Sequence, residues 1–383
     1  MIRKKLEKHI ARKATLLGVG PMSTNCIDAA AELANEYDVP IMLIASRRQI
    51  DCEESGGGYV NNWTTEEFAR YVMDKNSNKN IILCRDHGGP WQYSMEIQKN
   101  LDLKSAMKAA KISYQRDIEA GFNIIHIDPS IDIHSKITPE EITDRVLELY
   151  EFCWDVAQKL GCEIEFEIGT EDQSEITSSS QEVEKMLSRV NKHCKKYKMP
   201  RPLFVVVPSG TKVIETQNVG SFSNPFSLAE EVIQIPIMSK MCLKNMSYMK
   251  VHNSDYLSDE ALQLYPSLGI HAANIAPEYG VKETSTFINL LKQNECDELA
   301  DEFLNISYAS QKWEKWMKTN TISSKFEKSI IAGHYVFSND EFKEIMEKAS
   351  NILSRKNINI NLELKEAVKD SILSDMKLLR MII

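Results

Sequence analysis

Asp86 and His87 stand side by side in LCRDHGGPWQ (83–92), after the apolar run NIIL and before two glycines. An imidazole can hold a divalent metal or move a proton near neutral pH, and a carboxylate beside it can do either as well. Related pairings recur along the chain. His126 and Asp128 share IIHID, His252 precedes Asn253, Ser254 and Asp255, and His271 and Asn274 share GIHAANI. Glu163, Glu165 and Glu167 alternate with apolar residues in EIEFEI, and Glu171 follows shortly after. Such a set suits a divalent metal such as zinc or manganese. His271 and His126 also read as hydrogen-bonded core residues, whereas His87 and His252 directly adjoin other polar residues.

The elements that must position these groups are legible as short apolar, β-branched runs. They are TLLGVG (15–20), PIMLIAS (40–46), NIILC (80–84), NIIHID (123–128), CEIEFEI (162–168), LFVVV (203–207), SYMKVH (247–252) and GIHAANI (269–275). Stretches with helical periodicity separate them, several opening on a capping residue: Thr64 with Glu67 three positions on, or Thr138 before Pro139. Eight buried strands alternating with helices predict an α/β fold of the (β/α)8 TIM-barrel type. A doubly wound open sheet is the rival. It usually has fewer strands, and no G-x-G-x-x-G follows the first run. We expect residues 1–296 to form the barrel and 297–383 a helical C-terminal extension, packed on the barrel or on a partner subunit. The polar segment 170–184 is expected to contain a mobile loop above the fifth strand.

In this fold the chemistry sits where strands end at their C-terminal side. The polar residues at those ends are Ser46, Arg47 and Arg48, then Arg85, Asp86 and His87, then Ser209, then His252 to Asp255, then Asn274 and Glu278. The EIEFEI run raises its own question. Alternate residues of a strand share a face, so its three glutamates point one way. Neither the closed interior nor the helix-covered outside welcomes three carboxylates. Either arginine or lysine pairs with them inside the barrel, or Glu167, nearest the rim, helps hold metal or shuttle protons.

Bulk properties narrow the classes. The net charge of −9 argues against a nucleic-acid-binding protein, which would carry a basic face. The N-terminal MIRKKLEKHIARKATLLGVG has an apolar run too short and glycine-rich for a secretory signal. No stretch approaches the roughly 18 apolar residues that span a membrane. The eight cysteines are scattered without a C-x-x-C pair, so reduced thiols in a cytoplasmic protein are expected, with no membrane partner.

The chain resembles the class II ketose-bisphosphate aldolases, nearest the branch of tagatose-bisphosphate aldolase accessory subunits and their stand-alone sugar epimerase relatives. The resemblance rests on IASRRQ with GGGYVNNWTTEEFARYV (44–72), IILCRDHGGP (81–90), EAGFNIIHIDPS (119–130), EIGTE (167–171), VHNSDY (251–256) and ANIAPE (273–278). It implies that His87 and His252 bind a divalent metal, Zn2+ first, with Glu167 as a carboxylate in contact with it. It implies that Asp86 exchanges a proton with the sugar's C4 hydroxyl and that Glu171 is a second proton-transferring acid. Asn253, Ser254 and Asp255 would hold a substrate phosphate, and Asn274 the ketose half. The chain departs from the family at the sixth strand, where VVVPSGTK has no metal histidine and Val207 stands where the branch carries glutamine. Glu167, Glu171 or His126 would then complete the ligand set. HNSD is not glycine-rich, so Arg47, Arg48 or Lys212 is an alternative holder of an anionic group, with Ser209 nearby.

The activity implied is a metal-dependent sugar or ketose-phosphate aldolase, working on the C3–C4 bond through an enediolate. The alternatives are a C4 epimerase by retro-aldol and aldol steps, a non-catalytic subunit of an aldolase, or a barrel isomerase working by enolisation. A small sugar or sugar phosphate is the expected partner, and a homo-oligomer the expected assembly.

Overall fold

A computed structural model describes residues 2–169, 180–223 and 230–382. Eight parallel strands close into a barrel: β1 (Leu16–Val19), β2 (Ile41–Ser46), β3 (Ile81–Gly88), β4 (Ile124–Ile127), β5 (Glu165–Gly169), β6 (Phe204–Val206), β7 (Tyr248–Val251) and β8 (Ala272–Ile275). Each pairs with its neighbours in sequence, and β8 closes on β1 through Leu16–Ala272 and Gly18–Asn274. All eight apolar runs therefore became barrel strands. The connecting helices are α2 (Thr24–Glu36), α3 (Thr65–Lys75), α4 (Ser94–Gln98), α5 (Leu103–Glu119), α6 (Pro139–Leu160), α7 (Ser180–Tyr197), α8 (Glu230–Lys244), α9 (Asp259–Leu268) and α10 (Pro277–Gln293), after an N-terminal α1 (Ile2–Ile10). The capping signals hold: Thr64 with Glu67 and Thr138 with Glu141 form reciprocal capping boxes, and Pro139 opens α6.

Strand parity sorts the side chains. One set faces the helices and merges with their apolar stripes, as where Phe166 stacks on Tyr150 with ring centroids 3.7 Å apart. The other set fills the interior. Its lower layers are apolar: Leu16, Met42, Ile44, Ile82, Cys84, Ile124, Phe204 and Ala272. Helix α1 plugs the base with Leu6, and its Arg3 pairs with Glu165 at 2.6 Å. Two residues higher the interior turns polar on β3, β4, β5 and β8, at Asp86, His126, Glu167 and Asn274, while β6 keeps the apolar Val206.

The C-terminal segment forms α11 (Asp297–Ala309), α12 (Lys325–Ala332), α13 (Asp340–Ser354) and α14 (Ile360–Leu378). Phe287 and Leu291 of α10 share a small core with Phe303, Phe342, Leu353 and Leu364. Helix α14 lies over α2 and α10 and sends Val368, Ile372 and Met376 into the main core. Just beyond it, the Leu379 carbonyl accepts from Thr15 N at 3.0 Å, ahead of β1. The segment between α11 and α13 reaches the mouth of the barrel, where Tyr335 packs on Tyr59 (4.7 Å) and Ser338 Oγ donates to the Tyr59 carbonyl (2.7 Å). All eight cysteines are free thiols, and no described helix is long and apolar enough to cross a membrane.

Candidate metal centre at the barrel mouth

Asp86, His126, Glu167 and His252 each point a potential ligand atom into one volume, with those atoms within 4.8 Å of one another; His87, His126 and His252 form a second such group. Parity explains most of this. Asp86, His126, Glu167 and Asn274 follow the interior residues Cys84, Ile124, Glu165 and Ala272 by two, and His252 follows Lys250.

His87 is the exception, because it adjoins Asp86 and in a regular strand would face outward. The β3–β4 register shifts between Arg85–Ile125 and Gly88–Ile127, so three steps on β3 match two on β4. His87 absorbs the extra residue at φ +43. This bulge turns two consecutive side chains to the same mouth. Gly88 is needed there, since a Cβ would lie 2.4 Å from the Tyr114 ring.

Asp128 Oδ2 accepts from His87 Nδ1 at 2.8 Å, which leaves His87 Nε2 turned into the shared volume. His252 Nε2 lies 3.1 Å from Glu167 Oε1, and His252 Nδ1 lies 3.3 Å from His87 Nε2. His126 Nδ1 accepts from the His87 backbone N–H (3.2 Å), and its buried Nε2 has no hydrogen-bond partner among the described residues. The donor set of imidazole nitrogens and carboxylate oxygens fits a divalent ion such as zinc.

Electrostatics agree. Burial alone would raise the Asp86 carboxyl, but the imidazoles of His87 and His252, with His126 and Lys250, hold it well below the usual carboxylate range. Burial likewise opposes ionisation of Glu167, yet Lys250, His126 and His252 bring it down to about 2. Lys250 is 1 % exposed and its Nζ donates to Glu167 Oε2 at 2.7 Å.

The remaining sequence candidates divide. Asn274 joins the site: its Nδ2 donates to Asp86 Oδ1 at 3.2 Å, and Gly18 leaves room for its Oδ1. Ser209 lies in the loop after β6, linked to Thr211 Oγ1 (3.0 Å), which donates to the His252 carbonyl. Asn253 adopts φ +56, and its carbonyl accepts from Asn218 Nδ2 at 2.8 Å. Ser254 Oγ turns to Tyr265 (3.2 Å). Asp255 Oδ1 accepts from the Ala276 and Glu278 amides, both at 2.9 Å, and so caps α10; burial, then Glu278, push its carboxyl up to about 7. Arg47 is fully committed inside the protein, to Asp51 (2.9 Å), Glu96 (2.7 Å) and the Gly89 carbonyl (2.9 Å). Arg85 faces the helices and pairs with Asp117 of α5 at 2.6 Å. His271 precedes β8 at the base of the barrel, away from the mouth. Its Nδ1 accepts from Met249 N, and burial brings its pKa down to about 4. Glu171 lies outside the described residues, as does most of segment 170–184.

The EIEFEI question resolves into paired charges: Glu165 with Arg3 at the base and Glu167 with Lys250 at the rim. Sequence reasoning missed Lys250, although its place two before His252 puts both on one face. It also gave no role to Asp128, two after His126, which orients His87.

Fold and site together define a (β/α)8-barrel protein with a buried histidine–carboxylate centre at its C-terminal mouth. Residues 3–193 match the family described as D-tagatose-1,6-bisphosphate aldolase subunit GatZ/KbaZ-like. Among solved structures, the probable tagatose 6 phosphate kinase from Sinorhizobium meliloti superposes with a TM-score of 0.75 at 16% identity, over 94% of this chain and 98% of that one. The fructuronate-tagaturonate epimerase UxaE from Cohnella laeviribosi gives 0.61 at 9% identity (99% and 85% covered). The fructose-bisphosphate aldolase from Campylobacter jejuni gives 0.56 at 12% (100% and 94%). At these identities the likeness is one of fold. No curated protein matches the sequence.

Proposed function

We propose that the protein is a metal-dependent, aldolase-type enzyme that makes or breaks the C3–C4 bond of a ketose or ketose phosphate. The observation that carries this reading is the convergence of Asp86, His126, Glu167 and His252, with His87 beside them, in one buried volume at the barrel mouth. His87, His252 and Glu167 are the proposed metal ligands, with His126 completing the set. Zinc is the first expectation and manganese the alternative. A divalent ion held there would supply Lewis-acid charge to the ketose oxygens.

The protein's own groups account for the rest. Asp86 stays ionised and accepts the C4 hydroxyl proton as the C3–C4 bond breaks and its electrons pass to the carbonyl side as an enediolate. Asn274, bonded to Asp86, fixes that carboxylate and touches the ketose half. Glu171 is the proposed acid for the opposite face of the aldehyde. If the aldehyde departs, the reaction is an aldol cleavage; if it turns and is re-added, the product is the C4 epimer. Of the substrate contacts expected from sequence, Asn274, Asn253 and Ser209 border the mouth. Ser254, Asp255 and Arg47 act by building the loops, their polar groups being spent on protein partners. We take residues 1–296 as the catalytic barrel and 297–383 as an extension built onto it. A cytoplasmic location suits the eight free thiols.

The test is metal analysis of the purified protein, then NMR of a panel of ketoses and ketose phosphates incubated with it. An aldolase releases an aldehyde, and an epimerase converts one sugar to another without triose. Metal-free protein that only raises the activity of a separate aldolase would overturn the reading in favour of a non-catalytic subunit.

A further inference from the structure

Lys250 is a buried ammonium on an interior position of β7, and its Nζ lies 2.7 Å from Glu167 Oε2. The other oxygen of the same carboxylate, Oε1, faces His252 Nε2 at 3.1 Å and His126 Nδ1 at 3.6 Å. The two oxygens of Glu167 therefore have different work: one is turned to the imidazoles, the other is held away by a cation. Its main electrostatic partners are Glu167, Asp86 and Cys84. Its stem lies by the Phe204 ring, with Nζ 5.7 Å from the centroid, which fixes the approach of the ammonium.

We propose that Lys250 is a positioning residue for the metal centre. It restrains Glu167 to offer a single oxygen, and its charge weakens the site's grip on a divalent ion. This rests on the metal reading above. The physical argument is a charge balance in a dry volume. Two carboxylates and one ammonium leave one negative charge to meet a dication; without the ammonium there are two. Removing a positive charge a few ångströms from a divalent ion tightens binding by well over about 100-fold at the effective dielectric of a protein interior. The lysine also occupies the lone pairs of Oε2, which a carboxylate free to rotate would turn to the ion. With no histidine at β6, the orientation of Glu167 beside Lys250 sets how many donors the ion receives in addition to the imidazoles of His87, His126 and His252.

The experiment loads wild type, Lys250→Met and Lys250→Gln with Co2+ and reads the visible absorption spectrum and the affinity against a chelator. Glutamine is neutral but still donates a hydrogen bond to Glu167, so it separates charge from positioning. Both variants are expected to bind Co2+ at least about 100-fold more tightly. Only the methionine variant is expected to show weaker d–d absorption, the sign of a higher coordination number. If that variant does not fold, as its unpaired Glu167 could cause, the affinity of the glutamine variant decides. Wild type that binds Co2+, with variants matching it in spectrum and affinity, overturns the role of Lys250 alone. Wild type that takes up no Co2+ overturns the metal reading and this inference with it.

Discussion

Asp128 offers the sharpest probe of the centre, because it contacts a proposed ligand and lies outside the ligand set itself. Its carboxylate accepts from His87 Nδ1 (2.8 Å), Gln92 Nε2 (2.9 Å) and Ser130 Oγ (2.5 Å), and from the Ser130 amide at 3.2 Å. It therefore cannot swing, and it aims the His87 ring. Burial opposes its ionisation, but the bond to His87 and the charges of His87 and His126 keep its carboxyl below the usual range. Asp128→Asn keeps the shape and removes the charge. The amide oxygen can still face His87 and Gln92, with its NH2 toward Ser130. Ser130 Oγ can turn to accept, but the Ser130 amide loses its acceptor. One charge-assisted hydrogen bond lost costs about 1.5–3 kcal/mol of stability, so the fold survives. The larger effect falls on the metal. Weakening the carboxylate behind a ligating histidine lowers metal affinity about 10- to 100-fold, or roughly 1.4–2.8 kcal/mol. Titration of Zn2+ against a chelator, with a thermal melt of the metal-free protein as control, measures both. Unchanged Zn2+ affinity in a folded Asp128→Asn protein would refute the assignment of His87 as a ligand oriented by Asp128.

Asp86→Asn should keep its metal yet lower kcat by about 10²–10⁴, the usual worth of a positioned base; a kcat within tenfold of wild type in a steady-state assay would remove Asp86 from that role. Ile372→Ala tests whether the C-terminal helix is part of the barrel. Ile372 is fully buried in the main core, so about 2–5 kcal/mol should be lost in one cooperative transition for the whole chain, whereas a separate early melt would show an independent tail. His334 is buried with both ring nitrogens unpartnered among the described residues, and burial, then Lys315, bring its pKa down from 6.5 to about 3. The folded state thus resists a proton that the unfolded chain accepts. Stability is full above pH 6.5 and falls as pH drops toward 3, by about 2 kcal/mol at pH 5. His334→Leu should flatten that part of the profile in denaturant titrations, and an unchanged slope between pH 7 and 5 would discount the burial argument.

Much of this protein was legible in its sequence because barrel strands are short, buried and regular. Period-2 parity gave each strand an interior face, and position along the run gave height. Asp86, Glu167, His252 and Asn274 were therefore expected at the mouth, and they are there. His271 yields to the same logic: it stands before its strand begins, so it belongs to the base. What the sequence could not decide was the partner of each charge. Arg47 and Asp255 sit at strand ends as substrate-binding residues would, yet one closes a buried ion network and the other caps α10. Lys250 reads as an ordinary strand lysine until closure brings β7 and β5 to bear on Glu167.

The bulge at His87 belongs to the same class. Adjacent residues of a strand point opposite ways, so Asp86 and His87 cannot both face the mouth by local rules alone. The mismatch of β3 against β4 turns the second one inward. Sequence determined which residues had the right chemistry and which lay at the right height. Tertiary structure decided which of them met, because register and closure, set by the packing of the whole barrel, fix the few ångströms over which an ion pair or a metal site exists.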